Sequence, residues 1–108
     1  IKKDISMNSV LVVGTVGRDA EIKYFESGKS KTSYSLAVNR WDSKTKEEVT
    51  DWFNIDDWNK AELAYQHAKK GTLMWVDGRL TVTKYNGKEY YSIVSSKFKV
   101  LRRKAENM

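Results

Sequence analysis

The residues best placed to do chemistry lie in Asp51-Trp52-Phe53-Asn54-Ile55-Asp56-Asp57-Trp58. Read with the period of two of a strand, Phe53 and Ile55 fall on one side, and Trp52, Asn54, Asp56 and Trp58 on the other. If the first pair enters a core, both indoles share the outer face. Six residues at about 3.3 Å each set them roughly 20 Å apart. A small ligand does not bridge that distance, but an extended polymer does. Indoles exposed without a purpose are costly, so two on one face point to a stacking platform or a protein interface. The inverted register would bury both rings, but Asn54 and Asp56 with them.

Other aromatics and cations extend the pattern. Trp41 stands where a strand gives way to a polar stretch, and a one-residue shift there flips its face. Tyr85 follows Lys84 and precedes Asn86-Gly87, an aromatic beside a cation that suits a base and its phosphate; the plainer reading is cross-strand pairing with Tyr90. Trp75, in Leu73-Met74-Trp75-Val76, belongs to a run apolar on both sides, covered by the core and by the helix or another subunit. Lys2, Lys3, Arg40, Lys60, Lys70, Arg79, Lys84 and Lys88 would form a phosphate track only if the fold lines them up. Lys97, Lys99, Arg102, Arg103 and Lys104 form a terminal basic cluster whose bland reading is solubility.

Catalytic constellations do not assemble. The single histidine, His67, reads as a solvated or packed helix residue, and no second histidine or cysteine exists to complete a metal site or activate a nucleophile. No phosphate-loop motif is present. Asp56 and Asp57 are adjacent, and neighbours on a strand point to opposite faces. A nuclease would need a metal cluster that this chain does not supply. The expectation is a binding protein, not an enzyme, with no cofactor.

The elements that must position these residues are mostly strands. Residues 9–16 form a β-branched run with Gly14 as a bulge or bend, and 22–25 a short extended piece. Residues 31–40 alternate, 41–50 are polar and read as a loop, and 51–58 alternate again. Residues 73–85 and 90–101 are long strands joined through Asn86-Gly87, a strong hairpin signal. Between 58 and 73 lies one helix, with Asn59 as N-cap, Ala61, Ala64 and Ala68 at helical spacing, and Gly71 as the closing glycine. An all-β chain with one helix between the third and fourth of five main strands matches the five-stranded Greek-key barrel called the OB-fold.

Composition agrees. One hundred and eight residues make one domain, and 40% hydrophobic with 12% aromatic content is too apolar for a disordered tail. The longest uncharged apolar run, Val10 to Val13, is far short of the ~18 residues a membrane helix needs, so no membrane partner is expected. Twenty Lys+Arg against fourteen Asp+Glu give a net charge of +6, which favours an anionic partner. The expected organisation is a flexible leader over 1–7, the folded domain over 8–101 and a basic extension over 102–108.

Met7-Asn8-Ser9-Val10-Leu11-Val12-Val13-Gly14, Val16-Gly17-Arg18-Asp19-Ala20-Glu21 and Tyr24-Phe25-Glu26-Ser27-Gly28 resemble the opening of bacterial-type single-stranded DNA-binding proteins. Ser35-Leu36-Ala37-Val38-Asn39-Arg40, Asp51-Trp52-Phe53-Asn54, Lys69-Lys70-Gly71 and Val76-Asp77-Gly78-Arg79-Leu80 continue the likeness, which is nearest the cyanobacterial and plastid branch. The resemblance covers nearly the whole chain. It implies a homotetramer that binds single-stranded DNA without sequence preference in replication, recombination and repair, in a bacterial cytoplasm or a plastid. It further implies stacking by Trp52, Trp58 and Tyr85, with Trp41 corresponding approximately. Lys60, Lys70 and Lys84 are the matching basic positions and Asn8 the matching polar one; Asn54 and Arg79 complete the expected nucleic-acid contacts. The family's long tail ends in an acidic tip that recruits replication and repair proteins. This chain stops at Met108 on a basic cluster, as a shortened chain, a short paralogue or a variant lacking that role would. The Asn86-Gly87 hairpin is shorter than the family's loop and the helix about one residue short. Asp57 stands where an apolar residue is expected, and Asp56 puts a negative charge between the platform tryptophans. Both acids are expected to weaken binding or raise its salt sensitivity. The other reading of the same face is an interface for protein or RNA.

Overall fold

Alternation of β-branched and polar residues builds six strands, and the computed structural model describes residues 4–104. In chain order these are β1 (Val10–Val16), β2 (Glu21–Tyr24), β3 (Ser30–Asp42), β4 (Glu47–Asp57), the helix α1 (Ala61–His67), β5 (Leu73–Tyr85) and β6 (Lys88–Arg102). The sheet runs β1-β5-β6-β4-β3-β2, and β1 also pairs with β3. Five strands thereby close on themselves as an OB-fold barrel, with the short β2 added to the outer edge of β3. Closure rests on two thin seams: Thr15↔Ala37 and Val16↔Leu36 between β1 and β3, and the parallel pairs Ile55↔Ile93 and Asp56↔Val94 between β4 and β6. The barrel is therefore only partly closed, as is common for this fold. Gly14, expected as a bulge, instead keeps regular register with Met74; a Cβ there would lie 2.8 Å from the Ala37 carbonyl oxygen, so glycine lets β3 cross closely.

The stretch expected as a loop over 41–50 is mostly sheet. β3 and β4 stay paired out to Asp42↔Glu47, and only residues 43–46 turn. The arm projects into solvent, so polar residues occupy both of its faces and the burial period vanishes although the ladder continues. Arg40 and Asp51 bridge it at 2.7 Å, which holds the guanidinium above its ordinary pKa. Asn86 and Gly87 have φ of 50° and 75°, both positive as a type I′ hairpin requires. In that register Tyr85 faces Lys88 and Tyr90 faces Thr83, so the expected Tyr85–Tyr90 pair is diagonal, not direct.

The helix is shorter than its alanine spacing implied. Ala61, Ala64 and Ala68 are all buried, as expected, but Lys60 holds the N-cap position and Gly71, though left-handed, lies three residues beyond Ala68. Asp57 instead anchors the turn that leads into the helix: its Oδ1 accepts the Lys60 N–H at 2.8 Å, while no side chain caps the helix itself. That is why a carboxylate, only 2% exposed, stands where an apolar residue was expected. Outside the barrel wall, Trp75 is half-buried, with the Lys97 and Lys99 ammonium groups 5.6 and 5.9 Å from its ring centre. Two lysines of the neighbouring strand β6 thus border the ring on its outer side. Residues 4–9 carry no helix or strand; residues 1–3, with Lys2 and Lys3, and residues 105–108 lie outside the described residues. No described helix is long and apolar enough to cross a membrane.

Val16, Tyr34, Leu36, Ile55, Met74, Val76 and Ile93 form the core with Ala64 and Ala68. Burial, with the Asp57 carboxylate adding to it, pushes the Tyr34 phenol well above its ordinary value of 10.0, and its hydroxyl finds no hydrogen-bond partner among the described residues. The raised folded-state value means that stability is fully present below pH 10 and falls as pH rises above it. Tyr34 alone is expected to cost about 1.4 kcal/mol per pH unit there. Urea unfolding at rising alkaline pH should show a steeper loss for the native chain than for Tyr34→Phe. Near neutral pH the variant should match or exceed the native stability, since no hydrogen bond is lost.

Candidate nucleic-acid interface

Residues directly opposite in a ladder share a face, so the β3–β4 register builds the site. Trp41↔Glu48, Asn39↔Thr50, Ala37↔Trp52, Ser35↔Asn54 and Ser33↔Asp56 all lie on one face, while Leu36, Tyr34 and Ile55 lie on the other, in the core. The outward parity expected for Trp52, Asn54 and Asp56 therefore holds, and Trp41 joins them. Trp41 and Trp52 are 65% and 59% exposed. Four residues of strand between Glu48 and Trp52 separate these indoles by about 13 Å. The edge of the Trp52 ring lies on Gly17, where an added Cβ would come within 2.4 Å of it. Glycine there gives the ring its seat.

Trp58 follows the end of β4 and is 44% exposed, but it does not stand free. Its ring stacks on Phe25 with centroids 5.4 Å apart, and the Lys31 ammonium lies 5.5 Å from its centre. Lys23 caps Phe25 in the same way at 5.2 Å. A hollow lined by Lys29, Trp58 and Asn59 opens beside the pair. Two aromatic rings and three lysines thus converge at this end of the face.

Between the tryptophans runs a cleft of about 310 Å³. Its floor is Ser33, Ser35, Asn54 and Asp56; Arg18, Asp19 and Glu21 form one wall, and Thr83, Tyr90, Tyr91 and Ser92 of the β5–β6 hairpin the other. A smaller hollow of about 240 Å³ at Gly17, Arg18, Ser35 and Trp52 shares two of these residues, so the groove continues to the indole. Ser33 donates to Asp56 at 2.8 Å and Ser35 to Asn54 at 3.3 Å. Tyr91 donates to Glu89 at 2.8 Å, and that bond holds its phenol above the ordinary pKa.

The other expected residues are distributed unevenly around this groove. Tyr85, exposed at the end of β5, shares the strand parity of Thr83 and extends that wall toward the hairpin tip. Lys84, of opposite parity, sits 4.0 Å from Glu89. Asn8 spends its amide on the Leu80 backbone, donating to the carbonyl at 2.7 Å and accepting the N–H at 3.0 Å. Lys60 begins the helix, and Lys70 gives its backbone N–H to Asp19 at 2.8 Å, beside the cleft. Arg79 is exposed on β5 and lines neither the cleft nor the hollows. Arg18, Phe25, Lys23, Lys31, Tyr90 and Tyr91 were not picked out by spacing. Two adjacent tyrosines in an alternating strand, of which at most one can be core, were the available signal for the last pair.

Residues 7–106 match the model of the single-strand binding protein family. The single-stranded DNA-binding protein 1 of Synechocystis is 49% identical over 77 residues, 70% of this chain and 63% of that protein. The single-stranded DNA-binding protein of Neisseria meningitidis serogroup A is 36% identical over 112 residues, 95% of this chain and 64% of its own length. The chain thus spans a little under two thirds of these relatives. Among solved structures, the Plasmodium falciparum SSB in complex with ssDNA superposes with a TM-score of 0.79 at 27% identity, over 93% of this chain and 99% of that one. The family model, the relatives and the shared barrel together show that the chain belongs to the single-strand binding protein family.

Proposed function

We propose that this chain binds single-stranded DNA along the β3–β4 face, by stacking bases on Trp41, Trp52 and the Trp58–Phe25 pair while Arg18, Lys23, Lys29, Lys31 and Lys60 neutralise phosphates. The observation that carries the reading is the aromatic row itself. Three indole positions on one face, spread over roughly 30 Å of strand, suit an extended polymer and nothing smaller. The relatives' printed names and the ssDNA of the Plasmodium complex support it. Stacking on any base needs only its π-face, so no fixed sequence is required. Roles in replication, recombination and repair, and a place in a cytoplasm or plastid, follow the same likeness. A homotetramer is part of the proposal, supported by Leu11, Val13, Leu80 and Val82, which a monomer leaves exposed; light scattering on the purified chain tests it.

Titration with dT oligomers of graded length is expected to quench tryptophan emission and to saturate at a site size within the ~4–16 nucleotides typical of one OB-fold. No quenching at low salt, or tighter binding to duplex, overturns the reading. If the face serves protein or RNA instead, matched RNA outcompetes DNA, or neither nucleic acid quenches.

A further inference from the structure

The middle of the groove is chemically unlike its ends. Trp52 and the Trp58–Phe25 pair flank it with rings and cations, but Asp19, Glu21 and Asp56 line its centre, and Arg18, toward the Trp52 end, is the one cation of that lining. Among the described residues the ion pairs are Arg40–Asp51 and Lys84–Glu89, so these three carboxylates have no cation within 4.0 Å. Such a stretch repels phosphates. A strand held by stacking on both sides must therefore pass it with its backbone outward and a base edge inward. Asp56 is the acceptor on the floor. It is half-buried, it lies on the same face as Trp52, and the Ser33 hydroxyl fixes its Oδ1 at 2.8 Å while Oδ2 has no partner among the described residues.

A carboxylate oriented in this way offers acceptors only. Of the four bases, guanine presents two adjacent donors, N1–H and N2–H, on its Watson–Crick edge, which is free in a single strand. They match both carboxylate oxygens. Cytosine and adenine each offer one amino donor beside a ring acceptor, and thymine flanks its single N–H with two carbonyl oxygens that would face the negative charge. We propose that Asp56, positioned by Ser33, reads one base per bound strand and favours guanine there, within a path otherwise indifferent to sequence. The inference rests on the reading of this groove as a single-strand path and adds a specificity residue to it.

The test is a competition series against a labelled dT oligomer, using unlabelled oligomers of the same length in which a single guanine, cytosine or adenine is walked along a dT background. Guanine at its best position is expected to improve affinity about fivefold or more, at the low end of what a bidentate base contact discriminates. Asp56→Asn replaces one acceptor with an N–H donor and should abolish that gain while all-dT binding and the circular dichroism spectrum persist. Ser33→Ala, which keeps the charge but frees its orientation, should reduce the gain. A flat series in the native chain, or a guanine preference that survives in Asp56→Asn, overturns the proposal and leaves the groove reading intact. Loss in Asp56→Asn of a preference for RNA over DNA, whatever the base, also overturns it, because the carboxylate is then taking a 2′-hydroxyl. Failure of every oligomer, all-dT included, sinks both readings together.

Discussion

Trp52→Ala is expected to weaken binding of a labelled dT oligomer by about 5- to 150-fold at fixed salt, the range that corresponds to ~1–3 kcal/mol for one stacked base. The expectation follows from how the ring is held. Trp52 is 59% exposed, its edge rests on Gly17, and it borders the hollow that opens into the groove. It is thus presented but not packed, and its removal should leave unfolding midpoints almost unchanged. Trp58→Ala should cost less, because Phe25 already covers one face of that indole and remains to receive a base when the indole is gone. Gly17→Ala should act in the same direction as Trp52→Ala, since the new methyl displaces the ring. Anisotropy titrations read all three variants on one scale. Native affinity in Trp52→Ala, or a larger loss from Trp58→Ala, would mean that the strand follows another path.

That ordering shows what the sequence could and could not disclose. The platform was legible because β4 has a core on one side only: Ile55 and Phe53 against Trp52 and Asn54 is a local contrast that any register must respect. Trp41 was ambiguous for the opposite reason, because the arm beyond Asn39 has solvent on both sides and its residues carry no burial signal. The partners of the platform were hidden by distance along the chain. Phe25 reaches Trp58 across 33 residues, and Tyr90 and Tyr91 arrive in the groove only because β6 meets β4 at Ile55↔Ile93. Asp57 departed from its expected residue type because one position serves two elements, an inward strand position and the anchor of the following turn. Local pattern therefore identified the stacking residues, whereas the negative middle of the groove and its tyrosine wall came into view only with the topology.

Raising salt from about 50 to about 200 mM is expected to weaken binding of oligo(dT) by roughly a hundredfold. Each phosphate neutralised on a single strand contributes about −0.7 to the slope of log affinity against log salt. Arg18, Lys23, Lys29 and Lys31 lie along or beside the groove, and with Lys60 at the start of the helix they would engage about five phosphates, for a slope near −3.5. The fourfold change in salt then gives a factor of about 130. Lys23 and Lys31 make the sharper test, because each also rests against an aromatic ring, Lys23 on Phe25 and Lys31 on Trp58. Lys31→Gln should lower the slope by about 0.7 for its lost phosphate, whereas Trp52→Ala should lower affinity and leave the slope where it was. Charge and stacking are thus separable by a single pair of variants measured at several salt concentrations. A slope close to zero in the native chain would show that the lysines are occupied with the rings beneath them and not with phosphate, and the aromatic row alone would then have to hold the strand.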